Sequence, residues 1–338
     1  MKIAIHNSKS GFHQRWINYC KENSINYKIV DCYATDIIEQ MSDCYALMWH
    51  HSHMNSKDIV FAQKLLFALE HAGKVVFPDF KSAWHFDDKV AQKYLLEAIS
   101  APLVPTWVFY SKAEANAWAQ RTQFPKVFKL RSGAGSSNVK LIRDKTEAEK
   151  HIKKAFGKGF SQYNAWESLK DRWLKFREGK SDFQDVLKGF IRFVYPSTFT
   201  RMAGKEIGYV YFQEFIPDNT FDIRVIVIDE KAFAIKRLVR RHDFRASGSG
   251  NILYEKENFN ESTIKLAFTL ADKLQLQCVA FDFVYDQIEP KVVEISYGFM
   301  KEGYDKCVGF WDRELVWHQE PFNFCGWMVE KVVKQLQR

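Results

Sequence analysis

The chain has 338 residues, 46% of them hydrophobic and 27% charged, which is typical of a soluble globular protein with two or three domains. The net charge of +8 favours an anionic partner, but the sequence has no long Lys/Arg block, so a nucleic-acid-binding function has little support. It has no apolar run of roughly 20 residues and no N-terminal signal pattern, which predicts a cytoplasmic protein without a membrane span. The six cysteines form no CxxC pair and are expected in the core.

Residues 1 to about 80 alternate short apolar strands with helical segments, a pattern typical of a small α/β sheet with parallel strands. A GxGxxG fingerprint is missing after the first strand. The loop after the third predicted strand carries His50, His51 and His53 at the carboxyl edge, where open α/β sheets bind ligands. Metal ligation, contact with an acidic substrate and a polar loop without either role all remain open for these histidines.

The segment FPKVFKLRSGAGSSNVKLI predicts a strand bearing Lys129, then a loop of small residues and a return strand. Backbone N–H groups of such a loop can close on phosphate, and a fixed lysine beside them adds positive charge. Hairpin turns rich in glycine and serine are also common without a ligand. Phosphate binding and a plain hairpin are therefore both consistent with this segment.

Residues from about 157 to 193 are rich in Trp, Lys, Asp and Phe and are interpreted as a helical insertion. Four interpretations of this insertion remain open: a lid, a partner surface, a substrate-recognition arm and a solvated helical decoration. Three predicted strands follow, and the second carries Asp222 and Arg224 on one face because the strand period is two. The third strand and the loop after it carry arginines that suit phosphate or carboxylate, although a solvated basic face is the alternative.

The run FDFVYDQIEPKVVEIS predicts an antiparallel hairpin that holds Asp282 beside Glu294. A carboxylate inside an apolar strand needs exposure, a basic partner or a cation. Two facing carboxylates favour Mg²⁺, which takes one or two protein carboxylates and completes its shell with phosphates and water. The alternative is one solvent-facing acid and one salt bridge.

Taken together, these segments resemble the ATP-grasp superfamily of carboxylate–amine ligases, in particular the branch with glutathione synthetases, D-alanine ligases and ribosomal-protein glutamate ligases. The resemblance runs from about Asp87 to Met300 in consistent order. It implies an α/β (α+β) ATP-grasp fold, in which an N-terminal parallel-sheet domain precedes two α+β subdomains that sandwich the nucleotide. The expected domains are 1–86, 87–212 with the insertion, and 213–338.

The resemblance also implies which residues contact ATP. DDKVAQKYLL places Lys89 at phosphate, and Lys129 matches the lysine on the strand before the small-residue loop. QEFIP is similar to the hinge that binds adenine through its backbone, with Gln213, Glu214 and Ile216 in place.

Two further segments carry the expected catalytic residues. FDIR resembles the Asp-x-Arg strand, which implies nucleotide binding for Asp222 and a place near the transferred phosphate for Arg224. DFRASGSGN is similar to the loop that brings Arg245 and Asn251 to the acyl-phosphate and Mg²⁺.

In the metal hairpin of the family, Asp282 and Glu294 are the expected ligands. The usual Glu-x-Asn is replaced here by Glu294, Ile295 and Ser296, so a hydroxyl stands where an amide is expected. Ser296 is expected to bind the metal, either directly or through water, and full activity depends on this contact.

The function implied by the resemblance is an ATP- and Mg²⁺-dependent ligase that joins a small-molecule carboxylate to an amine through an acyl-phosphate. An amino acid or amino sugar in surface-polysaccharide modification is one hypothesis for its substrates, and amino-acid or peptide ligation fits equally well. The alternatives are an ATP-binding module of the same fold without turnover and, from the charge, a nucleic-acid-binding protein. Homo-oligomer formation is left open.

Overall fold

A computed structural model describes residues 1–8, 10–133, 138–161, 169, 172–173, 176–177, 182–187, 204–240 and 243–337. The chain forms two compact units: unit 1 comprises Met1–Val104 and Ile216–Arg338, and unit 2 comprises Pro105–Phe215. The predicted mixed α/β class is confirmed. Much of the predicted insertion at 157–193 lies outside the described residues, and the predicted three-domain division stays a prediction.

The N-terminal part of unit 1 contains a four-stranded parallel sheet in the order β2-β1-β3-β4. Its strands are Ile3–His6 (β1), Tyr27–Val30 (β2), Ala46–Met48 (β3) and Val75–Phe77 (β4), and its helices are His13–Glu22 (α1), Ile37–Gln40 (α2), Ser56–His71 (α3), Phe80–Ala83 (α4) and Lys89–Ala98 (α5). Both faces of β1 are covered, because Ile3 and Ile5 pack in one apolar cluster and Ala4 in another. Burial on both faces explains why β1 and β3 are apolar almost throughout, whereas β2 at the edge of the sheet carries Lys28 and an exposed Ile29.

Unit 2 contains an antiparallel sheet in the order β5-β10-β6-β7 and a short pair, β8-β9. Its elements are Thr106–Phe109 (β5), Lys112–Ala119 (α6), Lys126–Lys129 (β6), Val139–Ile142 (β7), Lys145–Ala155 (α7), Phe160–Ser161 (β8), Lys205–Glu206 (β9) and Val210–Glu214 (β10). Strands β6 and β7 form the predicted hairpin around the small-residue loop. Residues 134–137 of that loop lie outside the described residues.

The C-terminal part of unit 1 is built on an antiparallel sheet in the order β15-β14-β11-β12-β16-β17, with β13 paired to β12. Its strands are Phe221–Ile228 (β11), Lys231–Leu238 (β12), Ile252–Leu253 (β13), Cys278–Asp286 (β14), Glu289–Ser296 (β15), Phe310–Trp311 (β16) and Trp317–His318 (β17). The helices are Glu261–Leu274 (α8) and Phe324–Leu336 (α9), with 3₁₀ turns at Lys256–Asn258 and Lys301–Tyr304.

The two faces of this antiparallel sheet differ in chemistry. One face, with Ile223, Val225 and Phe281, packs in the apolar cluster that contains α8. The opposite face is apolar where Ile226 and Phe233 join the cluster of β1 and α9, and charged further along β11 and β12. Strand periodicity therefore separates a core face from a face that presents ionisable groups.

The chain leaves unit 1 after Val104 and re-enters it at Ile216, and both ends are held by the β14–β15 hairpin. The backbone of Val104 donates to the carbonyl of Val292 at 3.0 Å. On the other side, the Asn219 amide pairs with both backbone groups of Tyr285, accepting at 2.8 Å and donating at 3.0 Å. The same amide donates to the carbonyl of Ile216 at 3.3 Å. The hairpin thus anchors both points where the chain passes to unit 2.

Candidate active site

The predicted hairpin places its two carboxylates directly opposite each other, because Asp282 of β14 pairs with Glu294 of β15. The next pair is Phe283 with Val292, so Val293 is an extra residue and the register shifts at this point. Residues two apart on a regular strand share a face, whereas this bulge puts Val292 in the core and Glu294 on the charged face. The bulge therefore lies directly beside the carboxylate pair.

Asp282 is buried, receives hydrogen bonds from Arg224 and forms an ion pair with Arg237. The Arg224 guanidinium binds it through Nε and Nη2, the latter at 2.6 Å from Oδ2, and Arg237 Nη2 lies 3.1 Å from Oδ1. Burial opposes the charge on this carboxyl, but the two guanidinium groups outweigh it and hold the pKa of Asp282 well below its usual range. Asp282 is thus a carboxylate that is ionised at neutral pH.

Arg237 also binds the predicted residue Asp222, which stands opposite it in the β11–β12 ladder. The Nε and Nη2 atoms of Arg237 lie 2.6 and 2.7 Å from the two carboxylate oxygens. Burial raises the pKa of Asp222 despite this partner. Burial opposes the charge of Arg224, but Asp282 and Tyr304 raise the pKa of Arg224 well above its usual value. The result is a row in which acidic and basic groups alternate.

Glu294 is partnered by the predicted phosphate-binding residue Lys89, with 3.3 Å from Nζ to Oε1. Lys89 begins α5, and the Asp88 side chain caps that helix by accepting from two backbone N–H groups. The Lys89 side chain is only 5% exposed, so its charge is enclosed beside the carboxylate. The predicted residues Lys89, Arg224, Asp282 and Glu294 therefore converge on one part of unit 1.

Ser296 takes part in a turn of its own chain. Its hydroxyl donates to the carbonyl of Gly298 at 2.8 Å and accepts the Gly298 N–H at 3.2 Å. Its expected role as a metal ligand stays a prediction, since metal binding by Ser296 would compete with this turn.

The donor set fits Mg²⁺. Asp282 and Glu294 offer hard oxygen atoms from adjacent strands, and Mg²⁺ is commonly held by one or two carboxylates plus phosphates and water. Within the described ranges, no three His, Cys, Asp or Glu side chains come together as a metal cluster. The carboxylate pair is compatible with a site that is shared with a phosphate ligand.

The predicted catalytic loop is held by its own side chains. Arg245 Nη2 lies 2.7 Å from Oδ2 of Asp243, and the Arg240 guanidinium donates to the carbonyl of Gly248 at 3.0 Å. The backbone of Asn251 accepts from Leu238 at 3.0 Å. Across the described residues, the Asn251 side chain makes no hydrogen bond to Asp282 or Glu294, so its expected role stays a prediction.

In unit 2, the predicted residues Lys129 and Gln213 are in contact, with 2.6 Å from Nζ to Oε1. The Gln213 amide nitrogen donates to Thr106 Oγ1 at 3.1 Å, which fixes the orientation of the amide. Glu214 forms an ion pair with Lys126 at 2.8 Å. The side chains of Lys129, Gln213 and Thr106 share one face of the sheet. The strand period of two puts Lys126 and Glu214 on the other face, where Phe128 and Phe212 pack in an apolar cluster.

Several residues of these networks were not singled out from the sequence. Arg237 was one of several basic residues on its strand, and no local signal distinguishes it. Glu206 accepts the backbone N–H groups of Arg131 and Ser132 at 2.9 and 3.2 Å, at the start of the small-residue loop. Asp243, which binds the neighbouring Arg245, was likewise not singled out.

The histidine loop after β3 is partly buried, with His51 enclosed and His50 and His53 half-buried. Burial lowers the pKa of His50 and of His51 to about 3 in each case, so both are neutral at physiological pH. The His51 carbonyl accepts from the Tyr297 hydroxyl at 2.5 Å, and His53 packs against Phe86. Since the segment that follows β15 contains Tyr297, the loop is attached to the strand that carries Glu294.

Residues 201–310 match the family described as the RimK-like ATP-grasp domain. A RimK domain ATP-grasp protein from Sphaerobacter thermophilus DSM 20745 is similar in structure, with a TM-score of 0.53, 13% identity and coverage of 98% of this chain and 100% of that one. The ATP-grasp ligase PsnB, solved with minimal precursor, Mg and ADP, has a TM-score of 0.55, 12% identity and coverage of 100% and 98%.

D-alanine–D-alanine ligase from Bacillus anthracis has a TM-score of 0.53 at 14% identity, with 99% of this chain and 96% of that one covered. No curated protein matches the sequence. In the part of the chain that the structure describes, no helix is long and apolar enough to cross a bilayer. The chain therefore has the ATP-grasp fold, and its residues 201–310 are similar to the RimK-like ATP-grasp domain.

Proposed function

We propose that the protein is an ATP- and Mg²⁺-dependent ligase that joins a carboxylate to an amine. The observation that carries this proposal is the facing pair of Asp282 and Glu294, surrounded by Arg224, Arg237 and Lys89. Carboxylates that can hold a divalent cation and basic side chains that can hold phosphate oxygens are the two needs of phosphoryl transfer. Ligases are among the solved structures of similar fold, which supports this interpretation of the charged residues.

In the proposed reaction, an oxygen of the substrate carboxylate attacks the γ-phosphorus of ATP, and the bond to the β,γ-bridging oxygen breaks to give ADP and an acyl-phosphate. The amine then attacks the acyl carbon, phosphate leaves with the bonding electron pair, and the amine nitrogen loses a proton. Asp282 and Glu294 would hold Mg²⁺, which supplies charge neutralisation for the phosphates when it is bound. Arg224 and Lys89 would bind the oxygens of the transferred phosphoryl group.

Nucleotide binding is proposed to use the polar face of the unit 2 sheet. Lys129 would contact phosphate, and the backbone of the segment from Gln213 to Ile216 would contact adenine. Asp222 would act through Arg237, which it orients towards Asp282. Arg245 and Asn251 are proposed for the acyl-phosphate, which requires Arg245 to exchange Asp243 for the substrate.

We propose an amino acid or an amino sugar as one of the substrates, in a cytoplasmic reaction, with surface-polysaccharide modification as one setting. The positive net charge fits an acidic acceptor. The neutral histidines of the loop after β3 can donate hydrogen bonds to the oxygens of such an acceptor. Amino-acid or peptide ligation fits the same chemistry.

ADP release tests the proposal. The enzyme with Mg-ATP is offered mixtures of carboxylic acids and amines, including the twenty standard amino acids, and wild type is compared with Glu294→Gln. Glu289→Gln is the matched control, because Glu289 lies on the same strand with a 71% exposed side chain and pairs with Lys291. Release that needs both an acid and an amine, and that is lost only in Glu294→Gln, is expected. ATP binding without release from any mixture contradicts ligase activity.

A second candidate, an ATP-binding module without turnover, is favoured by one observation. The Ser296 hydroxyl is engaged by Gly298, where the resemblance expects an amide ligand. The substitution Ser296→Asn separates the two functions: it leaves a working ligase active, whereas a module that lacks turnover only because of Ser296 gains ADP release.

A further inference from the structure

The orientation of His50 is fixed by the backbone of the first helix. Its Nδ1 atom accepts a hydrogen bond from the backbone N–H of Phe12, the residue before α1, at 3.1 Å. A ring nitrogen that accepts a hydrogen bond carries no hydrogen, so the neutral imidazole has its proton on Nε2. His50 therefore presents one N–H donor, in a known direction relative to α1.

The His50 ring is also fixed by packing. It stacks on the Phe12 ring with 3.9 Å between centroids and an interplanar angle of 7°. Gly11 passes so close that a Cβ there would overlap Nδ1, and Gly11 has a φ of +104°. On the other edge, a Cβ at Gly298 would stand 3.2 Å from Nε2. Two glycines thus allow the backbone to approach both edges of the ring.

The Nε2 edge of His50 faces the end of the strand that carries Glu294. Gly298 lies four residues after Glu294, in the turn closed by the Ser296 hydroxyl. Among the described residues, no protein atom accepts the Nε2 hydrogen, and Nε2 is not sealed from solvent, in contrast to the Nε2 atom of His51. The donor on His50 is therefore available to a ligand.

The chemistry of this donor is that of a neutral imidazole. Burial, reinforced by the positive charges of Lys301 and of neighbouring histidines, lowers the pKa of His50 to about 3. A nitrogen base this weak does not remove protons at neutral pH, but its N–H can donate to an oxygen. Such neutral histidines are known to stabilise oxygen atoms on which negative charge develops.

We propose that His50 is a further substrate-binding residue, whose Nε2–H donates a hydrogen bond to an oxygen of the carboxylate substrate beside Glu294. This inference rests on the proposed ligase function. The same hydrogen bond would strengthen as the amine attacks the acyl carbon, because negative charge then develops on the acyl oxygen.

Two substitutions separate substrate binding from a purely structural role of His50, which is to accept the backbone N–H of Phe12. Asn at position 50 places an oxygen near the position of Nδ1 and keeps the acceptor for the Phe12 N–H, but removes the donor. Gln places its amide nitrogen near the position of Nε2 and keeps the donor. The readout is ADP release with Mg-ATP and the twenty standard amino acids, with the melting temperature of each variant measured in parallel.

His50→Asn is expected to raise the KM for the amino-acid mixture about ten- to a hundredfold, the range for a lost hydrogen bond to a charged group. The KM for ATP should change by less than about twofold, because a uniform loss of fold would affect both substrates. His50→Gln should keep a KM for the amino acids close to that of wild type. An unchanged KM in His50→Asn overturns the inference, and so does an equal loss in both variants together with a lowered melting temperature.

Imidazole ¹⁵N NMR of the full chain tests the inference without turnover. The His50 resonances, identified by their loss in His50→Asn, should show the Nε2–H tautomer, and the Nε2 signal should move when the amino-acid mixture is added with Mg-ADP. The opposite tautomer, or an Nε2 signal that does not respond, overturns it. If wild type releases no ADP from any mixture, the ligase proposal fails separately and this spectrum still decides the role of His50.

Discussion

Replacing Asp282 with asparagine should destabilise unit 1 strongly. The substitution keeps the shape of the side chain but removes the charge that Arg224 and Arg237 share. Arg237, which is buried, keeps Asp222 as a partner, and the largely buried Arg224 loses its carboxylate partner. Breaking a buried ion pair on one side costs about 3 to 5 kcal/mol. Urea unfolding followed by circular dichroism and by tryptophan fluorescence measures this loss, with Asp272→Asn as the control for an exposed pair with Arg313.

The double variant Asp282→Asn with Arg224→Met tests the cause of that loss. Removing one guanidinium together with the carboxylate restores the balance of charge. The loss in free energy of unfolding of the double variant should therefore be smaller than the sum of the two single losses, by about 1 to 3 kcal/mol. Losses that add within about 0.5 kcal/mol would show that the carboxylate and the guanidinium are not coupled, which refutes the reasoning.

Three further predictions concern other parts of the chain. Lys129→Met should weaken Mg-ATP binding in calorimetry by about tenfold or more, since a charged contact to phosphate is lost; the exposed Lys112→Met should bind as wild type does. Asn219→Ala should lower the free energy of unfolding by about 1 to 3 kcal/mol, because the Tyr285 N–H loses its acceptor; a stability equal to wild type would contradict an anchoring role. Burial lowers the pKa of His51 to about 3 and of His85 to about 4, below the value of roughly 6.5 in an unfolded chain. Their contribution to stability is therefore complete above about pH 6.5 and is lost as the pH falls towards those values, by about 2 kcal/mol for each histidine at pH 5. His85→Phe should lose less stability than wild type between pH 7 and pH 5 in urea titrations, and an equal loss would show that His85 does not contribute.

The hairpin could be predicted from the sequence because it depends on local rules, namely the alternation in FDFVYD and a turn at QIEPK. The facing of Asp282 and Glu294 also requires the bulge at Val293, because a regular ladder from the same turn would pair Asp282 with Val293, and no local pattern predicts that bulge. The contact between Lys89 and Glu294 joins residues far apart in sequence, and only the resemblance brought Lys89 into the site. Such contacts depend on how separate elements pack.

Arg237 shows most clearly what could not be predicted from the sequence. Its side chain reaches both Asp222 and Asp282, which requires the register of β12 against β11 and of β11 against β14. Periodicity assigns a residue to a face but does not fix the pairing register of strands joined by loops. The same holds for His50, whose proton position depends on the Phe12 backbone.

The bulge at Val293 has a consequence for how this site tolerates change in chain length. A chain without Val293 could still pair Asp282 with Glu294 and Phe283 with Val292, in an uninterrupted ladder. Loss of a single codon would therefore preserve the core and both faces of the sheet, while straightening the strand beside the carboxylates. Among relatives of this chain, a hairpin shorter by that one residue would mark a protein that keeps the fold and aims Glu294 differently.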